Sequence, residues 1–148
     1  MFGVRAFAPI LALGSVLSAS AALACECIDD RRPVEVRLRE LPPFLIVVSG
    51  RATEVKREAT GDHRFLLVVD RAWQNVTTPT LVLESSPHHC GYSFQEGEDY
   101  LVIAAPVEGR LVVSPCSPTM LLRDARPFLP ALGAPAYVPP RHDREKEE

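Results

Sequence analysis

Two cysteines one residue apart, Cys25-Glu26-Cys27, stand directly after a stretch with the features of a secretory leader. Arg5 supplies its positive start, residues 8–19 an apolar stretch, and Ala22-Leu23-Ala24 the small residues that signal peptidase reads. Residues 1–24 are therefore expected to be a removed signal peptide. The mature chain then begins Cys25-Glu26-Cys27-Ile28, with its α-amino group on a cysteine. Disulfides to both thiols would pin this end to the body of the domain and hold the amine in one place. A fixed amine beside a fixed carbonyl oxygen is a pair that can chelate a metal ion.

All four cysteines, Cys25, Cys27, Cys90 and Cys116, lie after the leader, and an even number in an exported chain predicts disulfides. A bond between Cys25 and Cys27 closes a very short, strained ring. Crosslinks from each to Cys90 and Cys116 remain, in either of two arrangements. Each closes a long loop, which the chain-entropy model values at roughly 4 kcal/mol. Lipidation of Cys25 is a lesser alternative, because Ala22 stands three residues before it where lipoprotein signals carry leucine.

Other chemistry-bearing residues read as ordinary. His88-His89 adjoin Cys90, but a bridged cysteine is no thiolate ligand and two adjacent side chains rarely make a metal site. They are expected in a solvent-facing loop. Asn75-Val76-Thr77 is a glycosylation sequon. Asp70, Glu96, Glu98 and Asp99 are surface or turn carboxylates unless folding gathers them. The chain has no Gly-x-Ser-x-Gly, no His-Glu-x-x-His and no phosphate loop. No enzyme and no resident cofactor are expected.

The elements that must position these residues follow from pattern. Pro33 suits the first turn of a short helix capped by Asp29 or Asp30, with Val34, Leu38 and Leu41 on one stripe and Pro42-Pro43 ending it. From Phe44 the period changes. Residues 44–48 form a continuous apolar run that continues past a bend or bulge at Gly50, then the polar loop 58–62 leads into a second strand at 63–73. Further strands are predicted at 80–83, 100–105 and 110–114. Trp73 is expected in the core or at a barrel end. Five strands with one helix predict an all-β domain, closed or sandwich-like. From Arg126 five prolines interrupt the chain and the last eight residues are charged or His, so 126–148 is expected to be extended or disordered.

Composition agrees with a single exported domain. Hydrophobic residues make 47% of the chain and aromatics 7%, which predicts an aliphatic core. The formal net charge is −3, and loss of Arg5 makes it one unit more negative. That balance argues against nucleic acid or an anionic membrane surface as partner. Beyond the leader, no apolar run approaches the length of a membrane span.

Taken together, these residues resemble the N-terminal, netrin-like domain of the tissue inhibitors of metalloproteinases. The resemblance covers Cys25 to about Cys116. It rests on Cys25-Glu26-Cys27 at a cleaved N-terminus, Cys90-Gly91-Tyr92 before an acidic turn, residues 100–104, and the glycine-turn-strand-cysteine-serine ending from Gly109 to Cys116-Ser117. It implies a five-stranded OB-fold-like barrel with one short N-terminal helix, spanning residues 25–125. It also implies the pairing Cys25 with Cys90 and Cys27 with Cys116. In such inhibitors the first cysteine's amine and carbonyl chelate the protease's catalytic zinc, and the next residue enters the specificity pocket. Here Cys25 would be the chelator and Glu26 the pocket residue, with Cys27, Ile28, His88 and His89 as the flanking ridge. The implied partner is a zinc metalloprotease, met outside the cell or in the periplasm. The chain departs from the family in lacking the third disulfide and the second domain. Glu26 also stands where a small hydroxyl or apolar residue is usual, which points alternatively to a structural or adhesive envelope module with no inhibitory activity.

Overall fold

The computed structural model describes residues 31–87, 90–113 and 115–140. Its elements are helix α1 (Val34–Arg39), strands β1 (Ile46–Arg57), β2 (His63–Gln74), β3 (Thr80–Ser85), β4 (Asp99–Val107), β5 (Arg110–Val113) and β6 (Met120–Leu121), and helix α2 (Leu122–Ala125). A 3-10 helix (Arg126–Leu132) follows directly. The sheet runs β1-β2-β3-β5-β4-β6, and β1 also pairs with β4. Five strands thus close on themselves as an all-β, OB-fold-like barrel. All pairs are antiparallel except β3–β5, which meet in parallel through Glu84 and Val112. Closure removes the exposed edges that an open sheet would present.

Two apolar layers explain the run-like strands. The barrel interior holds Ile46, Val48, Phe65, Leu67, Leu83, Tyr100, Val102 and Val113. The alternate residues Val47, Leu101 and Ile103 point outward, yet they are buried against Leu38 of α1, Ala125 of α2 and the following 3-10 helix. Strands β1 and β4 are therefore covered on both faces, which is why 45–48 and 101–104 read as unbroken apolar runs. At Gly50 the register of β1 on β2 shifts, as the glycine predicted. A Cβ there would lie 2.3 Å from the Val68 carbonyl oxygen, so the close passage of the two backbones requires glycine.

The sequence expectation needs two corrections. Pro33 occupies the N-cap of α1 rather than its first turn, and no side chain caps that end; Asp29 and Asp30 lie outside the described residues. The region from Arg126 is not extended or disordered over 126–132, where it forms the 3-10 helix. Phe128, Leu129, Ala131 and Leu132 pack into the outer apolar layer. Tyr137 pairs with Ala72 through two backbone hydrogen bonds, of 2.8 and 3.0 Å. Trp73, expected in the core or at a barrel end, packs in the outer apolar layer and donates its indole N–H to the Gly133 carbonyl at 3.1 Å. Pro127 stands just after the junction of α2 and the 3-10 helix, where without an N–H it cannot carry the α-helical hydrogen-bond ladder on. Residues 141–148 lie outside the described residues.

Candidate functional site

Cys25, Glu26, Cys27, Ile28, His88 and His89 lie outside the described residues, but the frame around them is visible. Cys90 and Cys116 are both disulfide-bonded, and no cysteine is free among the described residues. Cys90 sits in a loop closed at its neck. Gly91 N–H donates to the Ser86 carbonyl at 2.7 Å, and the buried Ser85 hydroxyl donates to the Tyr92 carbonyl at 2.6 Å. Cys90 takes φ of 64°, a conformation that few side chains adopt without local support. A Cβ on Gly91 would lie 2.5 to 2.6 Å from Ser86 backbone atoms, so the Cys-Gly order is a steric requirement.

Behind the loop an aromatic cluster fixes it to the barrel. Phe94 stacks on Phe65 with ring centres 4.1 Å apart, and its edge contact with Tyr100 spans 4.8 Å. The Tyr100 hydroxyl accepts the Gln95 N–H at 2.9 Å, and Tyr92 meets Tyr100 edge-on. Burial raises the Tyr92 phenol above its ordinary pKa, with Tyr100 and Asp124 adding to the effect. Cys116 is held by a side-chain hydrogen bond to its backbone. Arg37 of α1 donates to its carbonyl oxygen at 2.8 Å, tying the first helix to the end of β5.

His63, which opens β2, stands opposite Arg57 of β1 and Ser85 of β3, next to the neck of the Cys90 loop. It is only 5% exposed, and its Nδ1 has no hydrogen-bond partner. Burial lowers its pKa most, the nearby Arg57 charge lowers it further, and Asp62 partly opposes both. Nothing in local pattern signals this burial, since His63 reads as an ordinary strand-start polar residue.

Folding also gathers a cleft that pattern reading missed. Its volume is about 540 Å³, and Ser49, Arg51, Val68, Val69, Asp70, Arg71, Asp99, Leu122, Arg126 and Leu129 line it. The floor is the outer face of β1, β2 and the start of β4; the wall is α2 and the 3-10 helix. Arg51 binds Asp99 in a two-pronged pair with both distances 3.0 Å, which raises the Arg51 pKa through the hydrogen bond first and the charge second. Arg71 lies 3.3 Å from Asp70. Glu98, outside the cleft, pairs with Arg123 at 3.3 Å. Asp70, Glu98 and Asp99 are thus each matched to an arginine.

Asn75 does structural work in the turn after β2. Its Nδ2 donates to the carbonyl oxygens of Pro43 and Leu45, at 2.7 and 2.8 Å, while its backbone holds φ of 56°. That is the atom to which a glycan would attach. Among the described residues, no helix is long and apolar enough to cross a membrane, and no group of three His, Cys, Asp or Glu is placed to hold a metal ion. Comparison with protein-family models found no match, and comparison with curated proteins found none either.

Proposed function

We propose that this is an exported protein-binding domain of the netrin-like, metalloproteinase-inhibitor type, acting through a ridge built on its mature N-terminus. The observation that carries the reading is the framing of Cys90 and Cys116. Both are disulfide-bonded, one in a steric ring closed by Gly91 and the other held by Arg37 of the first helix. The resemblance to the inhibitors implies that Cys116 pairs with Cys27 and Cys90 with Cys25. Two such bonds would fix the Cys25 amine and carbonyl before any partner arrives and so reduce the entropy lost on binding.

The chemistry of the ridge is then direct. A protease zinc keeps one position for water, and a neutral amine with an adjacent carbonyl oxygen can take that position. The α-amine, with a pKa of about 8, loses its proton readily near neutrality. Glu26 would enter the partner's specificity pocket with Cys27, Ile28, His88 and His89 flanking it. A carboxylate loses hydration in an apolar pocket, so proteases with such pockets should be inhibited weakly.

The test compares the mature protein with a form extended by one alanine before Cys25, assayed against zinc endopeptidases. Inhibition by the first and not the second is the expected result; equal inhibition by both overturns chelation. The second reading, a structural or adhesive envelope module, is favoured by Glu26 itself. If neither the native chain nor Glu26→Thr inhibits any zinc endopeptidase tried, the inhibitory reading falls and the module reading is left standing.

A further inference from the structure

We infer that the cleft between the outer barrel face and the C-terminal helices binds a small aliphatic carboxylate. Its volume, about 540 Å³, falls within the range of small-molecule sites, about 300–1,000 Å³. Three guanidinium groups, Arg51, Arg71 and Arg126, border it in a chain whose net charge is −3. Two of these charges are already met by Asp99 and Asp70. Arg126 has no ion-pair partner among the described residues, so one unit of positive charge remains. That residual charge suits a monoanion better than a dianion.

Ser49 is the second, independent observation. It is only 1% exposed and lines the cleft, so a polar group stands at the cleft floor among apolar neighbours. A carboxylate oxygen reaching the cleft floor would accept from it, while the Arg126 fork holds the same group from the wall. Val68, Leu122 and Leu129 supply apolar surface for the attached chain. The ordered strap is what makes the site: without α2 and the 3-10 helix the floor would be an open sheet face.

The test uses octanoate, with octylammonium and acetate as controls, titrated into the mature disulfide-bonded protein and followed by amide and arginine side-chain NMR shifts. Octanoate should shift Ser49, Arg51, Val69 and Arg126 saturably. Acetate should bind at least about tenfold more weakly, for want of apolar contact. Octylammonium should leave these resonances in place. Arg126→Gln, at an exposed position, should weaken octanoate by about tenfold, the effect of one charged hydrogen-bonding group. Ser49→Ala should weaken it by a smaller factor. Absence of saturable shifts, equal binding of octylammonium, or unchanged affinity in Arg126→Gln would each overturn the assignment.

Discussion

Replacement of Asn75 tests how the barrel fixes the chain entering β1. The Asn75 side-chain amide spans from the turn after β2 to the carbonyls of Pro43 and Leu45, at 2.7 and 2.8 Å. Both partners are acceptors only, so the amide nitrogen must face them. Each bond contributes about 1 kcal/mol net, the Leu45 one somewhat more because it is partly buried. The backbone at φ of 56° adds about 1 kcal/mol of strain for alanine, which asparagine tolerates better. Asn75→Ala should therefore lose about 3 kcal/mol, and Asn75→Gly, free of the strain, nearer 2. For a domain of this size the alanine loss corresponds to roughly 10–20 °C in Tm. Asn75→Asp keeps the shape but sets an acceptor against two acceptors, so its loss should equal or exceed that of alanine. The assay is urea and thermal unfolding of the disulfide-bonded protein, with both probes required to coincide. A loss below about 1 kcal/mol in both the alanine and aspartate variants would refute the reasoning. A glycan on Nδ2 would use one of the two hydrogens, so a glycosylated chain should be less stable than the bare one.

Two further predictions concern the frame of the proposed ridge. His63 has a folded pKa below its unfolded value near 6.5, so the unfolded chain binds more protons as pH falls. Stability from this residue is full above that value, declines as pH drops through it, and levels off below the folded pKa, by at most about 1.4 kcal/mol per pH unit. In His63→Gln the slope between pH 7 and 5 should flatten; an unchanged slope in pH-dependent unfolding would assign it elsewhere. Gly91→Ala must displace Ser86 backbone, because the new Cβ has 2.5 Å where it needs over 3 Å. That variant should lower the yield of disulfide-bonded monomer and expose Cys90 to thiol labelling, whereas Gly97→Ala, with open space around it, should not disturb the cysteines.

Much of the barrel was legible because strand burial writes itself into short-range pattern. The apolar runs at 44–48 and 100–105 announced strands, and Gly50 announced a bend or bulge in the first of them. The helix stripe of Val34, Leu38 and Leu41 also faces the core as expected, with Leu38 2% exposed. The C-terminal strap was not legible. Its prolines carry no 3.6-residue period, and Phe128, Leu129 and Leu132 gain a reason only when the outer face of β1 and β4 lies beneath them. The aliphatic carboxylate cleft was invisible for the same reason: Ser49, Arg71, Asp99 and Arg126 come from four separate segments.

The sequence by itself determined the five barrel strands, the first helix and the bend at Gly50, since each depends on residues a few positions apart, but not β6 or α2. It also marked the four cysteines and the Cys25-Glu26-Cys27 start as the chemically unusual end. Only the tertiary structure decided the ring closure of β1 on β4, the parallel meeting of β3 with β5, the burial of His63 and the site lined by Ser49 and Arg126. These rest on contacts between distant segments, whose free energy no local pattern records.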